Sequence, residues 1–301
     1  MTRPGALPPV GPSWHGPGSD LHWSRRLAAG LALVRPVNCG ITAVSVAVGA
    51  LTSGSLHPAP GVLAAMASAA LLTGAGNAYN DVMDLEIDRL NRPERPLPSG
   101  RLTLCSARLE AAFLAGAGLS MAAWAGAAPA LMAGAVAAGL VLYSTWLKPG
   151  FLAGNLLVSA MAAAAFPFGA IAAGALGRSW IPAGFAFLFH LGREILKDAE
   201  DVEGDRARGA RTLALRLGPR RARLVALGVF AALAGATALP AAVGIYGPGY
   251  AALVALLDLL LAAVLALAIL RPRPAGDQFA SRWLTAGMAL GLLAIVLGEL
   301  G

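Results

Sequence analysis

The sequence predicts an all-α, polytopic membrane protein with nine spanning helices, and three observations predict it. Hydrophobic residues make up 57% of the 301 and charged residues only 13%, about half the roughly 25% charged share of soluble domains. Apolar runs of about 20 residues, enough to cross a bilayer core, recur between the polar breaks. Such runs are too long for barrel strands, and lipid leaves no backbone group unpaired, so they must be helical. Thirdly, the basic residues alternate with the runs: with the N-terminus cytoplasmic, 22 of the 23 Lys and Arg fall on or beside the cytoplasmic face and Arg178 alone lies opposite. That asymmetry orients membrane helices, and it makes the net charge of +7 a matter of topology. Short arginine-bearing loops offer no soluble basic face, so nucleic acid is excluded as a partner.

Residues 1–24 are rich in Pro, Gly and Ser and lack apolar periodicity. A mobile tail is expected there, followed by one transmembrane domain over 25–301. No short apolar core with a small-residue cleavage site precedes the first span, so no removed signal peptide is expected. Trp14 and Trp23 suit the lipid interface. The spans are placed at 37–54, 61–80, 104–124, 128–147, 152–174, 181–198, 222–243, 249–270 and 282–300, and their abundant Gly and Ala suit close helix packing in lipid.

The first span opens on Arg35, Pro36 and Asn38. Arg35 and Asn38 read either as an orientation anchor or as contacts to an anionic ligand. The second span ends in NAYNDVMDLEID, where Asn77, Asn80, Asp81, Asp84 and Asp88 share an arc of roughly 100° on one helical face while Glu86 points away. The loop beyond carries Arg89, Arg92, Arg95 and Arg101 among prolines that end the helix. Arginines so placed suit phosphate oxygens, or else neutralise the aspartates.

The third and fourth spans are almost wholly apolar, and the fourth ends at Tyr143 and Lys148, the latter the one basic residue of its loop. The fifth follows, and the sixth ends in EILKDAEDVEGD, where Glu194, Asp198, Asp201 and Asp205 repeat the spacing of Asn77, Asp81, Asp84 and Asp88. Arg193 and Lys197 precede this second stripe, Arg211 follows it, and Gly204 is expected to loosen the helix before Asp205. His190 reads as packed rather than ligating. The last three spans bring little chemistry; Asp258, in the middle of the eighth, reads as a protonated or hydrogen-bonded structural group. Cys39 and Cys105 do not form a zinc pattern.

Two facing stripes of aspartate at one membrane border suit Mg2+, which takes carboxylates together with substrate phosphates. Asp81, Asp84, Asp88, Asp198, Asp201 and Asp205 are the expected metal ligands. A diphosphate held between the stripes would have its lipid tail among the spans, and charge developing on the leaving diphosphate would be stabilised. A cation transporter is the rival from another class, but its acids should lie near the midplane. A CDP-alcohol phosphotransferase would need a different acidic cluster.

The chain resembles the UbiA superfamily of intramembrane prenyltransferases. Its first motif, NDxxDxxxD, appears as Asn80, Asp81, Asp84 and Asp88, and its second, DxxxD, as Asp201 and Asp205. The Arg95 to Gly100 loop and the Tyr143 to Lys148 segment are similar too. The resemblance implies a helical bundle around a central cavity open to lipid, Mg2+ on both motifs, and Lys148 and Arg95 on the donor diphosphate. Asn80, Asp84, Asp88, Asp201 and Asp205 are then the expected catalytic residues. Arg35, Asn38, Asn77, Arg92, Arg95, Tyr143, Lys148, Glu194, Lys197 and Arg211 are the expected substrate contacts. Within the superfamily the two motif segments look most like the digeranylgeranylglyceryl phosphate synthase branch, which implies geranylgeranyl transfer to geranylgeranylglyceryl phosphate. Aromatic, quinone, haem and chlorophyll-type acceptors share the motifs and stay open, as does the general base, with Glu194 and Asp198 as candidates. Membrane lipids are expected around the bundle, and no obligatory protein partner is inferred.

Overall fold

The computed structural model describes residues 23–54, 60–207, 209–270 and 279–301, and among them every regular element is a helix. In chain order these are α1 (Trp23–Val34), α2 (Pro36–Thr52), α3 (Pro60–Met83), α4 (Leu85–Asn91), α5 (Leu104–Ala125) and α6 (Ala127–Leu142), which runs on through a π turn at Tyr143–Leu147. They continue with α7 (Ala153–Ala163), α8 (Ala165–Ala172), α9 (Trp180–Glu200), α10 (Val202–Ala207), α11 (Leu213–Leu217), α12 (Pro219–Ala242), α13 (Pro248–Leu270) and α14 (Phe279–Leu300).

Six stretches among the described residues are long and apolar enough to cross a bilayer: α3, α6 with its π turn, α7 with α8, α12, and parts of α13 and α14; α1 and α2 together make a seventh if that bent pair is one span. The protein is a multi-pass membrane protein. The remaining two expected segments, in α5 and α9, are helical throughout, but Arg108 and Glu110 dilute the first, and Arg193, Glu194, Lys197 and Asp198 the second.

The start of the chain differs from expectation. The sequence predicts a tail over 1–24, yet a helix is already formed from Trp23; the rest of that tail, Trp14 included, lies outside the described residues. Helix α1 forms because it has its own apolar contact: Leu33 is buried with Ala78, Leu97, Ala107 and Ala111 of α3, α5 and the intervening loop. Pro36 then disfavours helical geometry in the residue before it. Arg35 takes φ 57°, the one positive φ of a non-glycine residue among those described, and the chain turns by 43° into α2.

Close packing fixes the bundle. A Cβ on Gly49 of α2 would lie 2.0 Å from the Phe166 carbonyl oxygen, and one on Gly169 of α8 would lie 1.8 Å from that of Val46. The two backbones touch, as small residues allow in lipid. At one end of the bundle the Arg178 amide donates to the Thr52 carbonyl at 2.9 Å, the Arg178 guanidinium pairs with Glu299 at 2.6 Å, and the Tyr246 hydroxyl donates to Glu299 at 2.8 Å. Arg178, the exception to the charge pattern, is thus bound to the last turn of α14. Both acidic stripes lie at helix ends in the other group of loops.

Candidate active site

The two stripes share a backbone device as well as a spacing. Helix α3 stops at Met83 and α9 at Glu200, and the residue that interrupts each is the third of its stripe: Asp84, with φ −92° and ψ 2°, and Asp201, with φ −99° and ψ 18°. Both sit in the sparsely allowed bridge region. Hydrogen bonding persists across each break, from the Asp84 amide to Asn80 and the Asp88 amide to Asp84 (both 2.9 Å), and from the Asp201 amide to Lys197 (2.9 Å) and the Asp205 amide to Asp201 (3.1 Å). The second helix therefore breaks at Asp201 rather than at Gly204, which lies inside α10.

Around these breaks lies one cavity of about 490 Å³, bordered by Asp84, Asp88, Asp198, Asp201 and Asp205 from both stripes. Asn77, Asn80, Arg92, Arg95, Tyr143, Lys148, Glu194 and Lys197 line it too, as do Arg35 and Asn38. Its deeper wall is apolar: Leu72, Val136, Leu140, Met161 and Phe168. Two expected site residues are not in the wall. Asp81 is turned away, held by the guanidiniums of Arg35 and, at 3.3 Å, Arg95. Arg211 is drawn aside because its backbone amide donates to the Pro149 carbonyl at 2.7 Å.

Burial dictates the electrostatics. Asp81, Asp84 and Asp88 are each less than a tenth exposed, and a buried carboxylate needs a positive or hydrogen-bonding partner. Lys148 pairs with Asp84 and donates to Asn80 Oδ1 at 2.9 Å, while Asn80 Nδ2 donates to Asp84 at 3.1 Å. Arg95 holds Asp88 at 2.6 Å, and Arg92 holds Asp201 at 3.1 Å. Arg35 is pinned from below, since Asn77 Nδ2 donates to the Val34 carbonyl at 2.9 Å and Asn77 Oδ1 accepts from Arg35 at 3.4 Å. The π turn brings the Lys148 amide onto Tyr143 O at 2.9 Å, a local rewinding of the kind that gathers at functional sites. Glu86 stands outside, paired with Arg89 at 2.7 Å with its side chain 78% exposed.

The donor set suits a hard divalent cation: it is all oxygen, mostly carboxylate, and so rich in negative charge that several side-chain cations already sit on it. Among the described residues no three acidic, histidine or cysteine side chains form a ready metal cage. His190 and Arg193 also border the cavity, as does Asn155, whose amide donates to Asp198 at 2.9 Å. His190 rests edge-on against Phe189. The signal for His190 and Arg193 was present, because His190, Arg193, Lys197 and Asp201 follow one another by three or four residues on a single helical face. Asp258, by contrast, lies away from the cavity, where Thr237 Oγ1 donates to it at 3.4 Å.

Residues 41–297 match the UbiA prenyltransferase family. A digeranylgeranylglyceryl phosphate synthase of Methanopyrus kandleri is 42% identical over 90% of this chain and 98% of its own, and one of Halobacterium salinarum is 35% identical over 89% and 96%. Among solved structures, one from work on digeranylgeranylglyceryl phosphate synthase in membranes has a TM-score of 0.70 at 29% identity, covering 91% of this chain and 98% of that one. A UbiA homologue of Archaeoglobus fulgidus, solved with GPP and Mg2+, has a TM-score of 0.62 at 19% identity over 89% and 99%, a likeness of fold. This chain belongs to the UbiA prenyltransferase family, and it is a membrane-embedded enzyme of that family.

Proposed function

We propose that this protein transfers a geranylgeranyl group from its diphosphate to the hydroxyl of geranylgeranylglyceryl phosphate, a step of ether-lipid synthesis. One observation carries the reading: both acidic helix ends border one cavity whose deeper wall is apolar, so a charged diphosphate and an oily chain are served by the same space. The relatives named for this synthase cover nearly the whole chain. In this reading all nine helical segments cross the cell membrane, and the N-terminus and cavity mouth face the cytoplasm. The C-terminus, with Arg178 and Glu299, lies on the other side.

Asp84, Asp88, Asp201 and Asp205 are the residues that would hold Mg2+, with Asp198, one turn before Asp201, left for the acceptor. When bound, Mg2+ supplies positive charge against the diphosphate as the allylic carbon–oxygen bond breaks. Lys148, Arg92 and Arg95 exchange their carboxylate partners for phosphate oxygens and steady the leaving group. Asn80 keeps Lys148 and Asp84 in register through its two amide bonds. Leu72, Leu140 and Phe168 exclude water from the allylic cation until the acceptor oxygen bonds to it. Of the two candidate bases, Glu194 is engaged by two cations, Arg193 and Lys197, whereas Asp198 accepts from the neutral Asn155 amide. We therefore assign the acceptor's proton to Asp198.

The test is to give purified protein Mg2+, labelled geranylgeranyl diphosphate and a panel of acceptors that includes geranylgeranylglyceryl phosphate and an aromatic quinone precursor, and to identify products by mass. The expected product carries two geranylgeranyl chains on one glyceryl phosphate. Prenylation of the aromatic compound alone would move the protein to another branch. Mg2+ flux in proteoliposomes without prenyl transfer would overturn the enzymatic assignment.

A further inference from the structure

Arg35, Arg92, Arg95 and Lys148 lie against the motif aspartates. Two further cations border the same cavity from α9, Arg193 and Lys197, and they share a single carboxylate. Arg193 Nη1 donates to Glu194 Oε1 at 3.2 Å, and Lys197 Nζ donates to Oε2 at 3.1 Å. One cation would neutralise Glu194, whose side chain is only 8% exposed. The pair leaves donors over. A guanidinium carries five N–H groups, and the Nε of Arg193 is buried with no hydrogen-bond partner among the described residues. Both residues border the cavity, so the donors that Glu194 does not take are placed to meet an acceptor that enters it.

We propose that Arg193 and Lys197 form a second anion site, which receives the negatively charged head of the acceptor. This deepens the reading above and rests on it: the anion is then the acceptor's phosphate. The pair lies two turns and one turn before Asp201, about 12 and 6 Å along the helix axis. That depth is below the motif aspartates, on the side of the apolar wall, where the reacting carbon of a donor held by its diphosphate comes to lie. A glyceryl phosphate whose hydroxyl reaches that carbon carries its phosphate only a few bonds away, level with Arg193 and Lys197. The remaining charged and titratable neighbours on this face are Asp198, one turn beyond Glu194 and already hydrogen-bonded to Asn155, and His190, one turn before Arg193. A planar guanidinium beside an ammonium suits a phosphate, the fork giving paired hydrogen bonds and the lysine a point charge.

The experiment compares geranylgeranylglyceryl phosphate with its dephosphorylated alcohol, both with geranylgeranyl diphosphate as donor. Arg193→Met is expected to lower the ratio of kcat/KM for the phosphorylated over the dephosphorylated acceptor by about ten-fold or more, through the KM of the phosphorylated one. The KM of the donor should change by less than about two-fold. Arg193→Lys restores part of the ratio because it keeps the charge, and Lys197→Met lowers it in the same way, which decides the matter if Arg193→Met does not fold. An unchanged ratio in the methionine variants, or an equal rise in the donor's KM, overturns this site while leaving the transferase reading intact. Absence of prenyl transfer by the unaltered protein to any acceptor overturns both.

Discussion

Arg92 reaches from the loop behind the first acidic stripe to Asp201 in the second, its Nη2 donating to Oδ2 at 3.1 Å across 109 residues of sequence. The contact joins two segments whose similarity would otherwise be a coincidence of spacing. Asp201 occupies in its stripe the place that Asp84 holds in the first, down to the helix break. Each meets a cation supplied by a different element, Arg92 for one and Lys148 for the other.

Asp84→Ala and Asp201→Ala should each lower prenyl transfer by about a hundred-fold or more, the scale seen when a group that stabilises developing charge is removed. Membrane insertion should be unaffected, since each residue lies at a helix break beside the cavity and not in an apolar helix contact. Labelled product per inserted protein measures this, and near-normal turnover in either variant removes that aspartate from the reacting centre.

Lys148→Ala should weaken binding of geranylgeranyl diphosphate by about ten- to a hundred-fold, because a hydrogen bond to a charged group contributes about 1.5–3 kcal/mol. The control is Glu86→Ala. Glu86 belongs to the same run of acids but pairs with Arg89 in solvent, and exposed pairs contribute little, so donor affinity should stay within about two-fold. Titration of both variants with the donor measures the difference, and equal effects would reduce Lys148 to an interfacial anchor.

Much of this site was legible because the stripes are local patterns. A spacing of four, three and four residues fixes which side chains share a helical face whatever the rest of the chain does, and Glu86 was excluded for the same reason. The breaks at Asp84 and Asp201 were not legible, since both residues keep their flanking helical hydrogen bonds and no proline or glycine announces them. Asp81 lies at the edge of the arc, and a small rotation turned it toward Arg35 and Arg95 instead of the cavity. The placing of Arg35 depended in turn on α1, a helix too short to span and so invisible to a search for membrane segments. Its formation rests on Leu33 meeting α3 and α5, a tertiary contact. Arg211 is near the second stripe in sequence, but its loop runs instead to Pro149.

Arg35 carries a backbone strain that substitution can separate from its charge. At φ 57° a residue with a Cβ is disfavoured by about 1–2 kcal/mol, a cost glycine escapes. Arg35→Gly and Arg35→Ala both lose the pair with Asp81, so both should bind the donor less well. The glycine variant should nevertheless unfold at the higher temperature in detergent. Equal midpoints would mean that the bend is not under strain.

The contact between α2 and α8 predicts a defect far from the chemistry. In Gly169→Ala the new methyl would lie 1.8 Å from the Val46 carbonyl oxygen, backbone that cannot swing aside. Overpacking of this kind costs about 1–3 kcal/mol, and the thermal midpoint should fall. Gly134→Ala in α6 is the comparison, because nothing lies within 4 Å of its added Cβ and alanine is the better helix former. Loss of stability in both variants alike would show that helix propensity and membrane context, not the close approach, set the result.

Lys148, Arg92 and Arg95 pair with the carboxylates that Mg2+ would need, and Mg2+ alone must compete with them. A diphosphate changes that balance. It attracts the same cations, releases Asp84, Asp88 and Asp201, and adds oxygen ligands of its own. Metal and diphosphate should therefore bind cooperatively, each raising the affinity for the other by the same factor, since the coupling is reciprocal. Calorimetric titration of Mg2+ into the protein with and without an unreactive prenyl diphosphate analogue, and of the analogue with and without Mg2+, measures both sides. A factor of about ten or more is expected. The analogue's own affinity for Mg2+ in solution must be subtracted, and what remains should shrink in Lys148→Ala, which has one fewer cation to exchange. If Mg2+ binds the bare protein as tightly as the loaded one, the lysine and arginines are not exchanging partners, and the ion pairs across this cavity serve the fold rather than the reaction.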